Sequence, residues 1–493
     1  MEPKENSPIS ARKTAANLLW RFLERCGAQG VTLLVSIILA RLLDPEVHGT
    51  IALVTVFTTI MQVFVNSGLG TALVQKKDAD SLDYSTVFYF NLVMGIGLYG
   101  VMFLGAPLIA AFSEIPELTP ILRVLSLTLV VAGVKNIQHA YVAKHMIFKK
   151  FFFSTIGGTI ASAVVGIVLA YEGFGVWALV AQTVSNQIMA TAILWLTVSW
   201  RPTWEFSWSR LKNLFAYGWK LLVSSLIDTV YNDLRSLIIG KKYSSTDLAF
   251  YNKGKQFPNL LVLNINTSID SVLLPAMASE QVDTQRVQKM TRRAIKTSCY
   301  IIMPMMMGLA ICAEPLVRLV LTEKWLPCVP FLRIFCITYA FYPINTANLN
   351  AIKALGRSDL FLKLEIIKKI IGIAAILISM QYGVLWMAYS LIFTSLISQF
   401  INAFPNRKLL GYSYGKQLKD ILPSLLMSGV MGAAAWSVQL LGLTALPTLC
   451  IQVLVGIGVY VAGSWLLKLE SFLYLKEQTT VVIQKFLKRK KEK

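Results

Sequence analysis

The stretch "LLWRFLERCGAQGVTLLVSIILARLL", residues 18–43, joins a membrane-length apolar run to charges at its beginning. Arg21, Glu24 and Arg25 occupy its first two turns. If the span began after these residues, only about 15 residues would precede Arg41, fewer than the roughly 20 that cross a bilayer as a helix. The charges therefore belong to the span, and protein or water must solvate them because a charge in lipid costs at least a few kcal/mol.

The composition of the whole chain indicates an integral membrane protein. Of its 493 residues, 55% are hydrophobic and 15% are charged, and the mean hydropathy is +0.59. A soluble chain carries about one quarter charged residues. The polar N-terminus, "MEPKENSPISARKTAAN", lacks the apolar core of a cleavable signal peptide.

Apolar runs predict about fourteen transmembrane helices and an all-α polytopic fold. The predicted spans cover residues 17–41, 50–67, 85–112, 118–139, 152–171, 175–199, 211–239, 257–276, 294–321, 329–350, 361–380, 384–404, 418–441 and 446–467. Loops on one side hold about 30 Lys and Arg and loops on the other about six, a bias that predicts cytoplasmic termini. This bias explains most of the net charge of +21, so nucleic-acid binding is not expected.

An internal repeat divides the predicted helices into two groups of six. Sliding the chain by 200 residues pairs Ser36 with Ser236, Phe57 with Phe257, and Asn66 with Asn266. We predict a first bundle in residues 1–205, a second in 206–405, and two further helices with a basic cytoplasmic tail in 406–493. Because six is even, the bundles run in the same direction, and such transporters bind substrate near the midplane between their halves.

The first helix of each half carries one polar, mainly cationic stripe. At 100° per residue, five side chains of each helix fall within an arc of about 80°. These are Arg21, Arg25, Gln29, Thr32 and Ser36 in the first helix, and Lys220, Ser224, Asp228, Tyr231 and Arg235 in the seventh. The simplest geometry turns both stripes into one cleft. As an alternative, Arg21 and Arg25 extend toward the cytoplasmic interface and only anchor the helix.

A cleft that is net positive suits a phosphate or pyrophosphate. The predicted substrate-binding residues are Arg21, Arg25, Lys220, Arg235, Gln62, Asn66 and Asn264. Asp228 and Asp270 are predicted ion-coupling residues, because a carboxylate at membrane depth can gain proton affinity. No catalytic or metal-binding constellation and no cofactor site are expected.

Four motifs resemble those of the Wzx-type polysaccharide flippases. They are "ILARLLDPEVHGT" (38–50), "SGLGTALVQKKD" (67–78), "AKHMIFKK" (143–150) and "AIKALGRSDL" (351–360). These flippases share a superfamily with the MATE multidrug exporters and the lipid II flippase. The resemblance implies two bundles arranged in a V that work by alternating access, with two last helices similar to the lipid-binding groove of the lipid II flippase.

The resemblance also implies a cargo and a location. The cargo would be an oligosaccharide linked to undecaprenyl pyrophosphate, moved from the cytoplasmic to the periplasmic leaflet of the inner membrane for O-antigen, capsule or exopolysaccharide synthesis. Arg21, Arg25, Lys220 and Arg235 match by position the cationic residues thought to hold the pyrophosphate. Membrane lipids and the polysaccharide polymerase machinery are the expected partners, and we expect a monomer.

Two other classes compete with this interpretation. A MATE-like ion-coupled exporter of small molecules would need a carboxylate-rich cleft for cationic cargo. A membrane enzyme would need paired carboxylates on a large outer loop or an aspartate cluster for a metal. The predicted outer loops are short and carry no such cluster, so we expect a transporter and not an enzyme.

Overall fold

The computed structural model describes residues 11–477, 479 and 480, and side chains from Gly27 onward apart from residues 268 and 271. This part of the chain is helical, without β-strands. Its α-helices are α1 Ala11–Leu42, α2 Pro45–Asn66, α3 Leu69–Gln75, α4 Ser81–Ser113, α5 Leu118–Leu125, α6 Leu127–Lys144, α7 Phe148–Tyr171, α8 Val176–Thr197, α9 Trp208–Lys242, α10 Ser245–Ser279, α11 Thr284–Ile311, α12 Ala313–Val320, α13 Val329–Ala340, α14 Tyr342–Ala354, α15 Ser358–Ser379, α16 Val384–Leu409, α17 Tyr414–Ser437 and α18 Ala445–Leu466.

The helices confirm the predicted all-α polytopic class. Each of the fourteen predicted spans overlaps one or two of them, and eleven helical segments in the described part of the chain are long and apolar enough to cross a membrane. The three predicted spans outside this set coincide with α1, α9 and α15. The described side chains of α1 cover only Gly27–Leu42, an apolar stretch too short to count as a full span, whereas α9 carries charged residues along its length and α15 carries them in its first half.

Three predicted spans are each divided into two helices. The helix predicted at 118–139 breaks at Ser126 between α5 and α6, the one at 294–321 at Cys312, and the one at 329–350 at Phe341. Apolar residues continue across each break, so hydropathy does not reveal them. A local signal follows the second and third breaks, because Pro315 lies in the first turn of α12 and Pro343 in the first turn of α14, where a missing N–H removes no helical hydrogen bond.

The described chain divides into two compact units, Met1–Ala249 and Phe250–Lys493. In the first unit α7 packs along α1 and α8, α4 along α6, and α9 along α2; in the second, α11 packs along α17, α15 along α16, and α17 along α18. The sequence repeat placed α9 at the beginning of the second half. In this structure α9 packs with helices of the first unit. The division predicted at residues 205 and 405 describes the repeat in the sequence, and it stays a prediction.

Two glycines allow α9 to pass close to the junction of α2 and α3. Gly68 has a left-handed backbone, with φ of 70°, and a Cβ added to it would lie 2.5 Å from the carbonyl oxygen of Gly218. A Cβ on Gly218 would lie 3.0 Å from the carbonyl oxygen of Ser67. The "SGLG" motif therefore ends α2, begins α3 and permits backbone contact with α9.

A buried carboxylate ties the beginning of α9 to the loop between α3 and α4. Asp83, whose side chain is fully buried, lies 2.6 Å from Lys76 Nζ and 3.3 Å from Arg210 Nη1. Asp80 caps α4 by accepting a hydrogen bond from the Asp83 backbone N–H, and the Asp83 carboxylate accepts one from the Asp80 backbone N–H. Hydrogen bonding from Arg210 lowers the pKa of Asp80 to about 2.

We expect Asp83→Asn to destabilise the first unit, because it removes the charge that Lys76 and Arg210 share. Losing one partner of a buried ion pair costs on the order of 2 kcal/mol or more, which lowers the thermal midpoint by about 4–8 °C for a unit of this size. Asp283→Asn is the matched control, since Asp283 also begins a helix and contacts an arginine but is 49% exposed. Thermal unfolding in detergent should show a control shift below about 2 °C. Equal shifts would contradict the structural role of Asp83.

Buried amides join α17 to α14 and α16 in the second unit. Asn348 and Gln417 exchange two hydrogen bonds of 2.8 and 2.9 Å, and Asn406 donates to Asn348 Oδ1 at 2.7 Å. Nearby, Arg292 of α11 makes a bidentate ion pair with Asp420 of α17, with both N–O distances 2.7 Å. Helix α17 is thus joined to the rest of the second unit by polar contacts as well as by apolar packing.

Candidate substrate and ion-coupling sites

Seven of the nine predicted site residues belong to the first unit. They are Arg21, Arg25, Gln62, Asn66, Lys220, Asp228 and Arg235, whereas Asn264 and Asp270 belong to the second. The side chains of Arg21 and Arg25 lie outside the described residues, although both positions fall within α1. Their proposed contact with an anion remains a prediction.

The polar stripe on α9 differs in exposure along its length. Lys220 and Asp228 are exposed, and Tyr231 is half-buried. Arg235 is only 6% exposed. The ammonium of Lys220 is therefore accessible to a ligand in this structure, while the guanidinium of Arg235 is enclosed by protein.

Asn66 is brought together with polar side chains from three other helices. It accepts a hydrogen bond of 2.7 Å from Asn136 of α6. Both residues line a cavity of about 720 Å³ in the first unit, together with Thr71 of α3, His139 of α6 and Ser225 of α9. Asn66 is a predicted substrate-binding residue, and the structure adds neighbours that the sequence pattern of α6 did not indicate.

The other two predicted polar residues have less informative surroundings. Gln62 is half-buried in α2. The Asn264 side-chain amide donates to the backbone carbonyl of Leu260, 2.8 Å away on the preceding turn of α10. Contact of either side chain with substrate remains a prediction.

Asp270 is held by a buried amide in the second unit. Asn350 Nδ2 of α14 donates to Asp270 Oδ1 at 2.7 Å, and Asn350 is 1% exposed. An ion pair lies in α15, where Lys368 Nζ is 2.5 Å from Glu365 Oε1. Sequence reasoning missed Asn350 because asparagine gives no helical pattern, but the spacing of Glu365 and Lys368 was a detectable signal.

The internal repeat relates Asp270 and Asn350 to a contact between small residues in the first unit. The repeat pairs Asp270 with Gly70, and α7 and α15 begin 210 residues apart, which pairs Asn350 with Ala140. A Cβ on Gly70 would lie 3.8 Å from Ala140 Cβ. An acid–amide pair thus occupies in the second unit the place that small residues leave open in the first.

Several basic residues in the predicted cytoplasmic loops bind helix ends. The Lys144 ammonium donates to the backbone carbonyls of Leu73 and Lys76, and Lys150 Nζ donates to Thr197 O at 2.5 Å. Arg201 donates to the carbonyls at the end of α8, including Val198 O at 2.6 Å. These cations donate hydrogen bonds to the last carbonyls of the helices and interact favourably with the negative end of the helix dipole. They therefore stabilise helix ends in addition to their predicted role in setting the membrane orientation.

Comparison with known proteins shows relatives along most of the chain. The WzxC lipopolysaccharide biosynthesis protein of Escherichia coli (strain K12) is 24% identical over 436 residues, which cover 85% of this chain and 88% of that protein. The TuaB teichuronic acid biosynthesis protein of Bacillus subtilis (strain 168) is 25% identical over 394 residues, 78% of this chain and 80% of that protein.

The fold is similar to that of a solved transporter. The lipid II flippase MurJ in an inward closed conformation superimposes with a TM-score of 0.73 at 16% identity, covering 92% of this chain and 99% of that one. The match confirms the expected fold of the superfamily that includes the lipid II flippase.

The family model for "Polysaccharide biosynthesis protein" matches residues 38–330, more than half of the chain. This match begins in α1 and ends in α13, so it includes most of the first unit and the beginning of the second. It confirms the resemblance that the four motifs indicated. The chain therefore belongs to the polysaccharide biosynthesis protein family.

Proposed function

We propose that this protein is a flippase that moves undecaprenyl-pyrophosphate-linked oligosaccharides from the cytoplasmic to the periplasmic leaflet by alternating access. The observation that carries the proposal is the 85% coverage of the chain by a lipopolysaccharide biosynthesis relative, together with a flippase fold. Such a cargo joins three chemistries: an apolar lipid, a doubly charged linker and a neutral or acidic sugar chain. The protein must accommodate all three at membrane depth.

The pyrophosphate is assigned to the cationic stripes. Arg21 and Arg25 on α1, with Lys220 and Arg235 on α9, supply the donors. Guanidinium groups bind phosphate oxygens through two parallel hydrogen bonds, and a lysine adds a point charge. Lys220 is exposed and contacts the cargo first. Arg235 is buried and contacts the cargo only after a movement of α9 exposes its guanidinium.

The orientation in the membrane is proposed from the charge of the loops. The loop charges support cytoplasmic termini, and the resemblance to polysaccharide flippases supports a location in the inner membrane; for the oligomeric state we propose a monomer. The cargo then enters from the side where the α3–α4 loop and the basic ends of α6 and α8 lie. On the opposite side, the polysaccharide polymerase machinery consumes the product, which draws transport forward.

Asp228 and Asp270 are assigned to ion coupling, with Asp270 the stronger candidate. Asp228 is exposed, whereas Asp270 accepts a hydrogen bond from buried Asn350. A carboxylate that can bind a proton or a sodium ion at membrane depth responds to the gradient of that ion. Asn350 orients one carboxylate oxygen and leaves the other for the ion.

Depletion of the protein in its own host tests the proposed function. The expected result is accumulation of the lipid-linked oligosaccharide on the cytoplasmic side, with loss of the surface polymer. Protection from a periplasmic glycosidase distinguishes the cytoplasmic lipid from exported lipid. Normal polymer together with increased sensitivity to cationic drugs would instead support the MATE-like exporter.

A further inference from the structure

The cavity beside Asn66 combines hydrogen-bonding groups with an absence of charge. Its polar side chains are two amides, two hydroxyls and an imidazole, from Asn66, Asn136, Thr71, Ser225 and His139. Among the described residues that line it, none is a lysine, arginine, aspartate or glutamate. The volume of about 720 Å³ lies within the range of sites that hold small molecules.

The lining residues are accessible from within the cavity. Asn66, Thr71, His139 and Ser225 are exposed in the structure, and Asn136 is half-buried. The ring of His139 lies over Phe151, with centroids 4.7 Å apart, which presents an aromatic surface beside the amides. The remaining walls are apolar, including Leu221 and Leu222 of α9.

Small residues keep this space open. Gly70 and Ala140 meet at its wall, where the repeat places Asp270 and Asn350 in the second unit. The first unit therefore has an uncharged cavity at the position where the second has an acid–amide pair. The first unit therefore has room for a bulky neutral group, whereas the second offers a carboxylate to an ion.

We propose that the cavity is a saccharide subsite, which binds a sugar ring of the lipid-linked cargo; this inference rests on the proposed function. Sugar hydroxyls donate and accept hydrogen bonds, as amide and hydroxyl side chains do, and the apolar faces of a sugar ring fit the aromatic and leucine walls. A pyrophosphate would find no cation in the described lining. An apolar lipid chain would leave several polar groups without partners, which is unfavourable.

Binding of two probes to the full-length protein in nanodiscs tests the proposal. One probe is a polyprenyl pyrophosphate bearing a single N-acetylhexosamine, and the other is the same lipid without sugar. We expect the sugar-bearing lipid to bind about tenfold more tightly to the wild type. Asn136→Leu should lower this ratio about five- to tenfold and Thr71→Val about two- to fivefold, because each removes hydrogen bonds to the sugar.

Gln75→Leu is the matched control, because Gln75 ends the same short helix, α3, but does not line the cavity. It should retain the wild-type ratio. Equal binding of both probes by the wild type, or an unchanged ratio in Asn136→Leu and Thr71→Val, would overturn the saccharide subsite while leaving the flippase intact. Failure of the wild type to bind either lipid would overturn the proposed function and this inference together. Thr71→Val keeps the shape of the side chain, so it tests the subsite even if Asn136→Leu does not fold.

Discussion

Lys220→Gln should weaken binding of a polyprenyl pyrophosphate by about 10- to 100-fold. The ammonium of Lys220 is exposed on α9, and a charge-assisted hydrogen bond to an anion is worth about 1.5–3 kcal/mol. Glutamine retains much of the length and polarity but not the charge. Binding in nanodiscs and flipping per inserted molecule should fall together.

Two variants separate the charge from other effects at this position. Lys220→Arg should cost less than Lys220→Gln, because it keeps the positive charge. Lys212→Gln removes another exposed lysine of α9, one that lies outside the stripe, and should bind the lipid as the wild type does. Equal losses in Lys212→Gln and Lys220→Gln would indicate a general effect of surface charge and not a site. Arg235→Gln is a poorer test, because burial of Arg235 couples its loss to folding.

Asp270→Asn should abolish the dependence of flipping on the imposed ion gradient and slow gradient-driven flipping by about 5- to 150-fold. This range corresponds to a coupling free energy of about 1–3 kcal/mol. Asparagine keeps a hydrogen-bond acceptor for Asn350 but cannot carry the charge that binds the ion. The measurement is flipping in proteoliposomes with and without a proton or sodium gradient.

The control for this prediction is Asp359→Asn. Asp359 is half exposed at the beginning of α15 and forms an ion pair of 2.9 Å with Arg357, so its loss should leave the gradient dependence intact. The Asp228→Asn variant shows whether the exposed carboxylate of α9 also contributes to ion coupling. Full gradient dependence in Asp228→Asn and in Asp270→Asn would remove both residues from the coupling mechanism.

Much of the fold could be predicted from hydropathy because the membrane imposes a length and an apolar content on every span. The break at Ser126 could not be predicted, since the apolar run continues across it and no proline follows it closely, whereas Pro315 and Pro343 follow the other two breaks. The placement of α9 was also hidden. The repeat identifies α9 as the first helix of the second half, but the contact of Gly68 with Gly218 depends on two backbones that meet only in three dimensions.

Candidate site residues could be predicted where several of them form a stripe on one helix. They could not be predicted where each residue comes from a different helix. The stripe containing Lys220 and Asp228 follows from spacing alone. The pairing of Asn66 with Asn136 and of Asp270 with Asn350 does not, because each joins residues 70 or 80 positions apart. Burial was equally hidden: Lys220 and Arg235 share the stripe, yet only Lys220 is exposed.

The most direct measurement is flipping of a fluorescent, undecaprenyl-pyrophosphate-linked oligosaccharide by the purified protein in proteoliposomes. Accessibility of the labelled lipid to a quencher or glycosidase added outside reports its movement between leaflets. The account predicts movement well above that in protein-free vesicles, strongly reduced by Lys220→Gln and unaffected by Lys212→Gln. Movement no faster than in protein-free vesicles, with a correctly folded protein and either ion gradient imposed, would contradict it.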